Sequence, residues 1–399
     1  MDADIIIVGA GPAGLCLAQS LTGCGLRIML VEQQAETALE APEFDGREIA
    51  LTQHSATLMR QLGLWERIAP DALAPLRDAR VMDGSDPFAM VIGHQLGSQS
   101  ELGWLVSNHL IRQAAWEAVA QSRQQHQDID VLCGTRVVAL QTDEQGGSVT
   151  LDDQRRLRAR LVVAADSRFS TTRRMMGIAA HMHDFGKNML VCCMTHEKPH
   201  DYAAWEWFGY GQTLALLPMN PDPQSGKYRS SVVITLDSRA IERLKTCNEA
   251  EFNAEVAQRF ESRLGTMQLS GSRHSYPLVA VFPQRLVAQR FACVGDAAVG
   301  MHPVTAHGFN FGLLSVEGLS TLIKSAQAAQ ADIATDALLQ RYARRQARAT
   351  LPLFLATRLV VELYTHDSTP ARLLRKGLLR LGDAFVPLKR SIAQSLSGM

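Results

Sequence analysis

Three glycines near the start of the chain are the first residues whose spacing could do chemistry. In Gly9-x-Gly11-x-x-Gly14, the first glycine permits a tight turn, the second lets the backbone approach a pyrophosphate, and the third lets a helix pack on a strand. Glu32, at the end of the next apolar run, can bind both ribose hydroxyls, and an acid there disfavours a 2′-phosphate. These residues predict a site for FAD or NAD rather than NADP.

A second polar group stands at Gly295-Asp296, again at the end of an apolar run. Asp296 can hydrogen-bond a sugar-alcohol chain, and the backbone N–H groups near His307, Gly308 and Phe309 can face a developing negative charge. The alternative is an ordinary strand, loop and helix with a capping aspartate. The presence of both sites in one chain argues against that alternative.

Short apolar runs bounded by glycine predict the elements that must position these residues. A strand, a glycine-rich turn, a helix and a second strand, in this order, are typical of a Rossmann-like α/β nucleotide-binding unit. The predicted strands cover residues 4–8, 27–31, 161–165 and 291–294, and the predicted helices cover residues 15–21 and a stretch from residue 309.

Composition limits the classes of protein that remain. The chain has 399 residues, a length that predicts two or three folded units, and 46% of these residues are apolar. Its 40 basic and 40 acidic residues lack the basic excess of a general nucleic-acid binder. Seven scattered cysteines favour a reducing compartment. Since the sequence also lacks a signal-peptide pattern and the ~18 consecutive apolar residues of a spanning helix, we predict a cytoplasmic protein that binds no nucleic acid.

The motifs taken together resemble those of a known family. GAGPAG with Glu32, Gly295-Asp296, His302-Pro303 and the AHGFNFGL run resemble the single-component FAD aromatic-ring hydroxylases. REIALTQHS from residue 47 and LGLW from residue 62 resemble the ubiquinone-biosynthesis hydroxylases more closely. AADSRFS from residue 164 and WEWF from residue 205 look most like the demethoxyubiquinol hydroxylase branch. The resemblance covers nearly the whole chain.

The resemblance implies a cofactor site for FAD. The three glycines would hold the pyrophosphate, Glu32 the adenosine ribose, and Arg47 and Arg112 would lie beside the cofactor; a surface or helix-face position is the alternative for both arginines. Asp296 would bind the ribityl chain. The remaining implied cofactor positions are Asp166, Gly295, Pro303, Ala306, His307, Gly308, Phe309 and Asn310.

No side chain can be named as catalytic from the sequence. The resemblance implies only that the backbone of His307, Gly308 and Phe309 lines the flavin and stabilises negative charge on it. No grouping of histidine, cysteine and carboxylate residues predicts a metal site. His181 and His183 are interpreted as a surface pair.

Asp166 and Ser167 depart from the family pattern. Hydroxylases of this class usually carry Asp-Gly after an apolar strand, and that pair serves both FAD and the nicotinamide donor. Here serine replaces the glycine that would allow a positive φ. The electron donor, NAD(P)H or another reductant, therefore stays open.

The resemblance and the turn-rich stretches together predict the domain organisation. We expect a discontinuous Rossmann-like FAD-binding domain of residues 1–75, 105–180 and 280–340. A β-sheet-containing substrate domain of residues 76–104 and 181–279 and C-terminal helices in residues 341–399 would complete the fold.

Two tryptophans in residues 181–279 predict part of the substrate site. Alternation along a strand puts Trp205 and Trp207 on one face, where they could form a wall for a flat ring. A core or interface cluster is the alternative.

The primary functional hypothesis is hydroxylation of the aromatic ring of a prenylated quinol or phenol in ubiquinone biosynthesis, with O2 and a flavin C4a-hydroperoxide. A FAD-dependent reductase of isoprenoid double bonds and a non-catalytic flavin-binding scaffold subunit are the alternatives. Other ubiquinone-biosynthesis proteins are possible partners.

The end of the chain is basic. Residues 341–399 hold eleven arginines and lysines against three acids, and apolar residues after position 371 follow helical spacing. Such a helix can lie on an anionic membrane surface, so we predict peripheral contact with the inner membrane face. A terminal helix docked on the core is the alternative.

Overall fold

The computed structural model of the chain describes residues 1–84, 86, 88–96, 100–209, 211–301 and 308–365, with the backbone alone at 353 and 356–365. In these residues the helices are α1 Pro12–Leu21, α2 Glu36–Glu40, α3 Gln53–Gln61, α4 Asn108–His126, α5 Thr171–Met175, α6 Ser238–Thr246, α7 Glu249–Arg259, α8 Gly308–Ala328 and α9 Asp336–Thr365. Short 3-10 helices lie at Trp65–Arg67, Pro70–Ala72, His94–Leu96 and Gly295–Ala297.

The strands are numbered in chain order. They are β1 Ile5–Val8, β2 Ile28–Val31, β3 Glu48–Thr52, β4 Ala74–Leu76, β5 Asp78–Asp83, β6 Ala89–Gly93, β7 Gly103–Ser107, β8 Ile129–Leu132, β9 Val137–Thr142, β10 Gly147–Leu151, β11 Arg156–Ala159, β12 Leu161–Ala164, β13 Ala180–His196, β14 Ala203–Phe208, β15 Thr213–Met219, β16 Tyr228–Asp237, β17 Met267–Leu269, β18 His274–Pro283, β19 Val287–Ala288 and β20 Phe291–Cys293.

A six-stranded sheet carries the glycine-rich turn. Its order is β19-β20-β12-β1-β2-β8, and every pair except β19 with β20 is parallel. β1 and β12 are buried along their whole length, which is why both read as continuous apolar runs. α1 connects β1 to β2 and packs between α4 and α8. The strands and helices predicted around the two motifs are confirmed.

A larger sheet lies beside the first. Its strands run β17-β13-β16-β15-β14-β5-β6, with β18 also paired to β13. β15, β16 and nearly all of β13 lie in residues 181–279, and β5 and β6 lie in residues 76–104, the two segments in which the sequence predicts a sheet. Helices α6 and α7 cover one face with an apolar core. The domain boundaries themselves remain a prediction.

Two smaller three-stranded sheets complete the described part of the chain. β11-β10-β9 packs against the six-stranded sheet, and β3-β7-β4 lies near α3 and α8. Among the described residues, no helix combines the length and apolar character needed to cross a membrane. The predicted basic amphipathic helix of residues 371–399 lies outside the described residues.

Candidate cofactor and substrate site

A cavity of about 810 Å³ lies between the two large sheets. One wall is formed where β1, β2 and β12 end, the edge at which parallel α/β sheets bind their ligands. The other wall is a face of the eight-stranded sheet, formed by residues of β13, β14, β15 and β16. The cavity therefore lies between the glycine-rich turn and the sheet that was predicted for the substrate domain.

The three glycines meet three different steric requirements. Gly9 has φ +105°, and a Cβ there would lie 2.6 Å from the Ala165 carbonyl oxygen. At Gly14 a Cβ would lie 2.0 Å from the carbonyl oxygen of Gly9. At Gly11 a Cβ would meet nothing within 4 Å, and this residue lines the cavity at the start of α1. The open space beside a helix N-terminus fits a pyrophosphate.

Glu32 is held in place by backbone donors. Its Oε2 accepts a hydrogen bond from the N–H of Ala10 at 2.7 Å, and its Oε1 accepts one from the N–H of Gln34 at 2.8 Å. The residue is buried in the protein but lines the cavity. Each carboxylate oxygen retains a lone pair that can accept a ribose hydroxyl.

Arg47 reaches the cavity from the loop before β3. Its Nη2 lies 2.6 Å from Oδ2 of Asp45, which also accepts a hydrogen bond from Asn108 Nδ2 at 2.8 Å. Its guanidinium carbon lies 5.5 Å from the centre of the Tyr276 ring. Burial acts to raise the pKa of Asp45, but the charge and hydrogen bonds of Arg47 together with the hydrogen bond from Asn108 outweigh it and lower that pKa. The Asp45 carboxylate thus stays ionised and orients Arg47.

Arg112 lines the same wall from α4. Its Nη2 donates to Oε1 of Gln34 at 3.4 Å, so it lies next to the Glu32 loop. Arg47 and Arg112 both line the cavity, and two cations on this wall suit the charge of a diphosphate.

The Gly295-Asp296 motif packs against α1, the helix that begins at the glycine-rich turn. Gly295 has φ +61°, and a Cβ there would lie 2.6 Å from the Ala13 Cβ, so only glycine fits between these elements. Asp296 lines the cavity and pairs with Arg168 at 3.5 Å. The structure therefore brings Asp296 to the wall that carries the glycine-rich turn.

The described part of α8 begins beside Asp296. Gly308 and Phe309 line the cavity, and contact of their backbone with the flavin stays a prediction. The side chain of Asn310 instead accepts from the N–H of Thr52 and donates to the carbonyl of Ala50, which ties α8 to β3. The predicted positions outside the described residues are His302, Pro303, Ala306 and His307.

Asp166 and Ser167 both line the cavity. The Asp166 carboxylate accepts hydrogen bonds from the N–H groups of Thr171 and Thr172 at 2.9 and 3.0 Å, and from the Ser170 hydroxyl, so it caps α5. Ser167 has φ +84°. The serine therefore adopts the left-handed conformation for which the usual glycine is suited.

We expect Ser167→Gly to raise the free energy of unfolding by about 0.5–1 kcal/mol, because left-handed strain costs more than the added freedom of the unfolded chain. Thermal unfolding of the purified protein measures this. The control is Ser148→Gly on β10, where φ is not positive and glycine should lower stability. Equal losses of stability in both variants would contradict the strain at Ser167.

Trp205 and Trp207 do not line the cavity, so the predicted aromatic wall is wrong. Both are buried with the apolar core beneath α6 and α7. Trp207 donates from Nε1 to the carbonyl of Gly84 at 2.8 Å, and its ring centre lies 6.5 Å from that of Phe260. Alternation along β14 was predicted correctly, but the tryptophans occupy the core face. The residue between them, Glu206, takes the cavity face.

Glu206 is a site residue that the sequence did not reveal. Its Oε1 is buried and has no hydrogen-bond partner among the described residues. Burial raises the pKa of this carboxyl well above its usual value. The available signal was an acid between two large apolar residues of a strand, which alternation places on the opposite face.

Glu48 is a second buried acid in the wall. Burial raises the pKa of its carboxyl to about 8, although Ser107 and Arg229 act in the opposite direction. It lines both the main cavity and a smaller one of about 250 Å³. Glu48 therefore lies between the two cavities.

Comparison with known proteins identifies the family of this chain. Residues 2–351 match the family described as FAD binding domain. The chain belongs to this family. The family's cofactor is FAD, and the cavity fits it: open space over Gly11, a fixed ribose acceptor in Glu32 and two cations on one wall.

Relatives match over nearly the whole chain. Ubiquinone hydroxylase UbiM of Neisseria meningitidis is 41% identical over 402 residues, which is all of this chain and 85% of that protein. Ubiquinone hydroxylase UbiL of Rhodospirillum rubrum is 33% identical, covering 99% of this chain and 90% of that one. This member of the FAD binding domain family is a FAD-dependent monooxygenase.

Solved structures show the same fold. The crystal structure of p-nitrophenol 4-monooxygenase PnpA from Pseudomonas putida DLL-E4 superimposes with a TM-score of 0.76 over 99% of this chain and 98% of that one. The two sequences are 16% identical, so this likeness concerns the fold alone.

Proposed function

We propose that this enzyme hydroxylates the aromatic ring of a prenylated quinol or phenol in ubiquinone biosynthesis, as a demethoxyubiquinol-type hydroxylase. The observation that carries the proposal is that one cavity joins the glycine-rich turn to a sheet face that bears apolar side chains. The names of the two ubiquinone hydroxylases with which the chain is collinear supply the substrate class.

The cofactor wall has distinct tasks in this proposal. Gly9, Gly11 and Gly14 let the backbone approach the pyrophosphate, Glu32 accepts the ribose hydroxyls, and Arg47 and Arg112 neutralise the phosphates. Asp296 accepts from the ribityl chain. Bound FAD supplies the chemistry of O2 activation, for which NAD(P)H or another donor provides electrons.

The sheet wall binds the substrate. Met189, Val191, Ala215, Leu217 and Val233 form the apolar part of this wall, which suits a prenylated ring. The backbone of Gly308 and Phe309 lies at the cofactor end of the same cavity. N–H groups near the start of α8 can stabilise negative charge there.

The experiment is turnover of the purified FAD-loaded enzyme with a short-chain demethoxyubiquinol and isotopically labelled O2. Anaerobic mixing first with NADH and then with NADPH identifies the donor and tests the effect of Ser167 on reduction. We expect one labelled oxygen atom in the quinol ring.

The other outcomes separate the alternatives. A product with a saturated prenyl bond and no labelled oxygen would identify a double-bond reductase. Absence of turnover with NADH, NADPH and dithionite-reduced enzyme would favour a scaffold subunit. Labelled oxygen in a different phenol alone would overturn the substrate class.

We further propose that residues 371–399 bring the enzyme to the inner membrane face, where a prenylated substrate resides. The eleven basic residues after position 340 favour an anionic surface. Association with other proteins of the same pathway would serve the same purpose.

A further inference from the structure

Glu206 is the one acidic residue that the described strands of the sheet wall place on the cavity, among apolar and hydroxyl side chains. It lies on β14, opposite Ala215 of β15 and Val81 of β5. On the cavity face, β15 contributes Thr213, Ala215 and Leu217. None of these can neutralise a carboxylate.

The described residues leave Oε1 of this carboxyl without a hydrogen-bond partner. Its Oε1 is buried without a hydrogen bond, and no ion pair among the described residues includes Glu206. Buried polar groups in folded proteins are usually satisfied, and an unsatisfied one costs about 1–3 kcal/mol. A carboxyl in this state beside a cavity has the position of a ligand-binding group.

The strand cannot easily turn the carboxyl away. The flanking Trp205 and Trp207 are buried on the opposite face, and Trp207 is further fixed by its hydrogen bond to Gly84. A rotation of β14 that removed Glu206 from the cavity would expose both indoles. Glu206 is therefore held toward the cavity by the core beneath it.

We propose that Glu206 binds a ring hydroxyl of the substrate and accepts its proton. This inference rests on the proposed function, because it assigns a role toward the aromatic substrate of the same cavity. The O–H bond of the substrate breaks, an O–H bond forms on the Glu206 carboxylate, and the electron pair stays on the ring oxygen. Delocalisation of that pair enriches the ring carbons in electrons, which favours their attack on an electrophilic oxygen.

The surroundings of Glu206 suit a proton acceptor. Burial is the cause of its raised pKa, and a carboxylate of raised pKa is a stronger base than an exposed one. Asp83 is the ionisable residue of β5 on the same sheet face, two positions from Val81. The other charged groups that line the cavity, including Glu48, Arg47 and Asp296, belong to β3 and the cofactor wall.

The test compares two probes that differ in one hydrogen-bond donor. The phenol 2-prenylphenol and its O-methyl ether are titrated into the oxidised FAD-loaded enzyme, and binding is followed by the flavin absorbance change. The variants are Glu206→Gln, which keeps the shape without ionising, and Glu206→Leu. Glu242→Gln, at an exposed position of α6, is the matched control.

We expect the wild type to bind the phenol about tenfold more tightly than the ether, as one hydrogen bond to a charged group predicts. This preference should increase with pH as Glu206 ionises. Glu206→Leu should lose the preference, Glu206→Gln should keep part of it without the pH dependence, and Glu242→Gln should match the wild type. FAD content and the melting temperature of each variant show whether it is folded.

Two outcomes would overturn the assignment. One is equal binding of phenol and ether by the wild type, including absence of binding of both. The other is a folded Glu206→Leu variant that keeps the wild-type preference for the phenol and its pH dependence. Labelled-O2 turnover is measured separately, so a Glu206-dependent preference without ring oxygenation would contradict the proposed function and leave the hydroxyl-binding role of Glu206 in place.

Discussion

Gly11→Val should yield a folded protein that binds FAD much more weakly, whereas the smaller change Gly14→Ala should strongly destabilise the fold. At Gly11 a side chain would enter open space, and the φ of −69° suits any residue. The apoprotein therefore tolerates valine. The same side chain would fill the space through which the pyrophosphate approaches the start of α1.

At Gly14 the conflict lies inside the protein. A Cβ at 2.0 Å from the carbonyl oxygen of Gly9 forces α1 away from the turn, and we expect a loss of about 3 kcal/mol of stability. The two variants thus separate the binding role of one glycine from the packing role of another.

The measurements are the melting temperature of the apoprotein and the Kd for FAD from quenching of its fluorescence. For Gly11→Val we expect an unchanged melting temperature and a Kd raised about 100-fold, equivalent to ~2.8 kcal/mol. Gly11→Ala should fall between the valine variant and the wild type. Wild-type FAD affinity in Gly11→Val would show that the pyrophosphate does not pass over this residue.

Arg47→Ala should weaken FAD binding by about 10- to 100-fold, because it removes a charge-assisted hydrogen bond of about 1.5–3 kcal/mol. It would also leave the Asp45 carboxylate without its closest cation, so repulsion of the phosphates adds to the loss. The salt dependence of FAD binding should decrease, since a phosphate contact is screened by ions.

Fluorescence titration of FAD at two ionic strengths measures both effects. Arg60→Ala is a suitable control, because this arginine stacks on Trp65 at 4.2 Å and does not line the cavity. It should lower stability without changing FAD affinity. Adding Asp45→Asn to Arg47→Ala should restore part of the affinity; no recovery would contradict repulsion by Asp45.

The sequence determined the parts of the site that depend on neighbouring residues. β1, the turn at Gly9 and the start of α1 at Gly14 follow one another within a few positions of the chain. Their geometry is fixed by sterics that any chain with this spacing must satisfy. The position of Glu32 can be predicted as well, because β2 ends beside the same glycine-rich turn. The sequence did not say whether Ser167 keeps the positive φ that the usual glycine allows, and the structure shows that it does.

Only the tertiary structure decided which face of β14 turns to the cavity. Alternation separates Trp205 and Trp207 from Glu206, but it does not say which side α6 and α7 cover. Packing resolved this, because burying two indoles stabilises the fold more than burying one carboxyl. Contacts distant in sequence made the other decisions: the Tyr276 ring lies beside Arg47, Asn108 donates to Asp45, and Asn310 bridges to β3. Local spacing cannot encode such partners, since they meet only when the sheets and α8 come together.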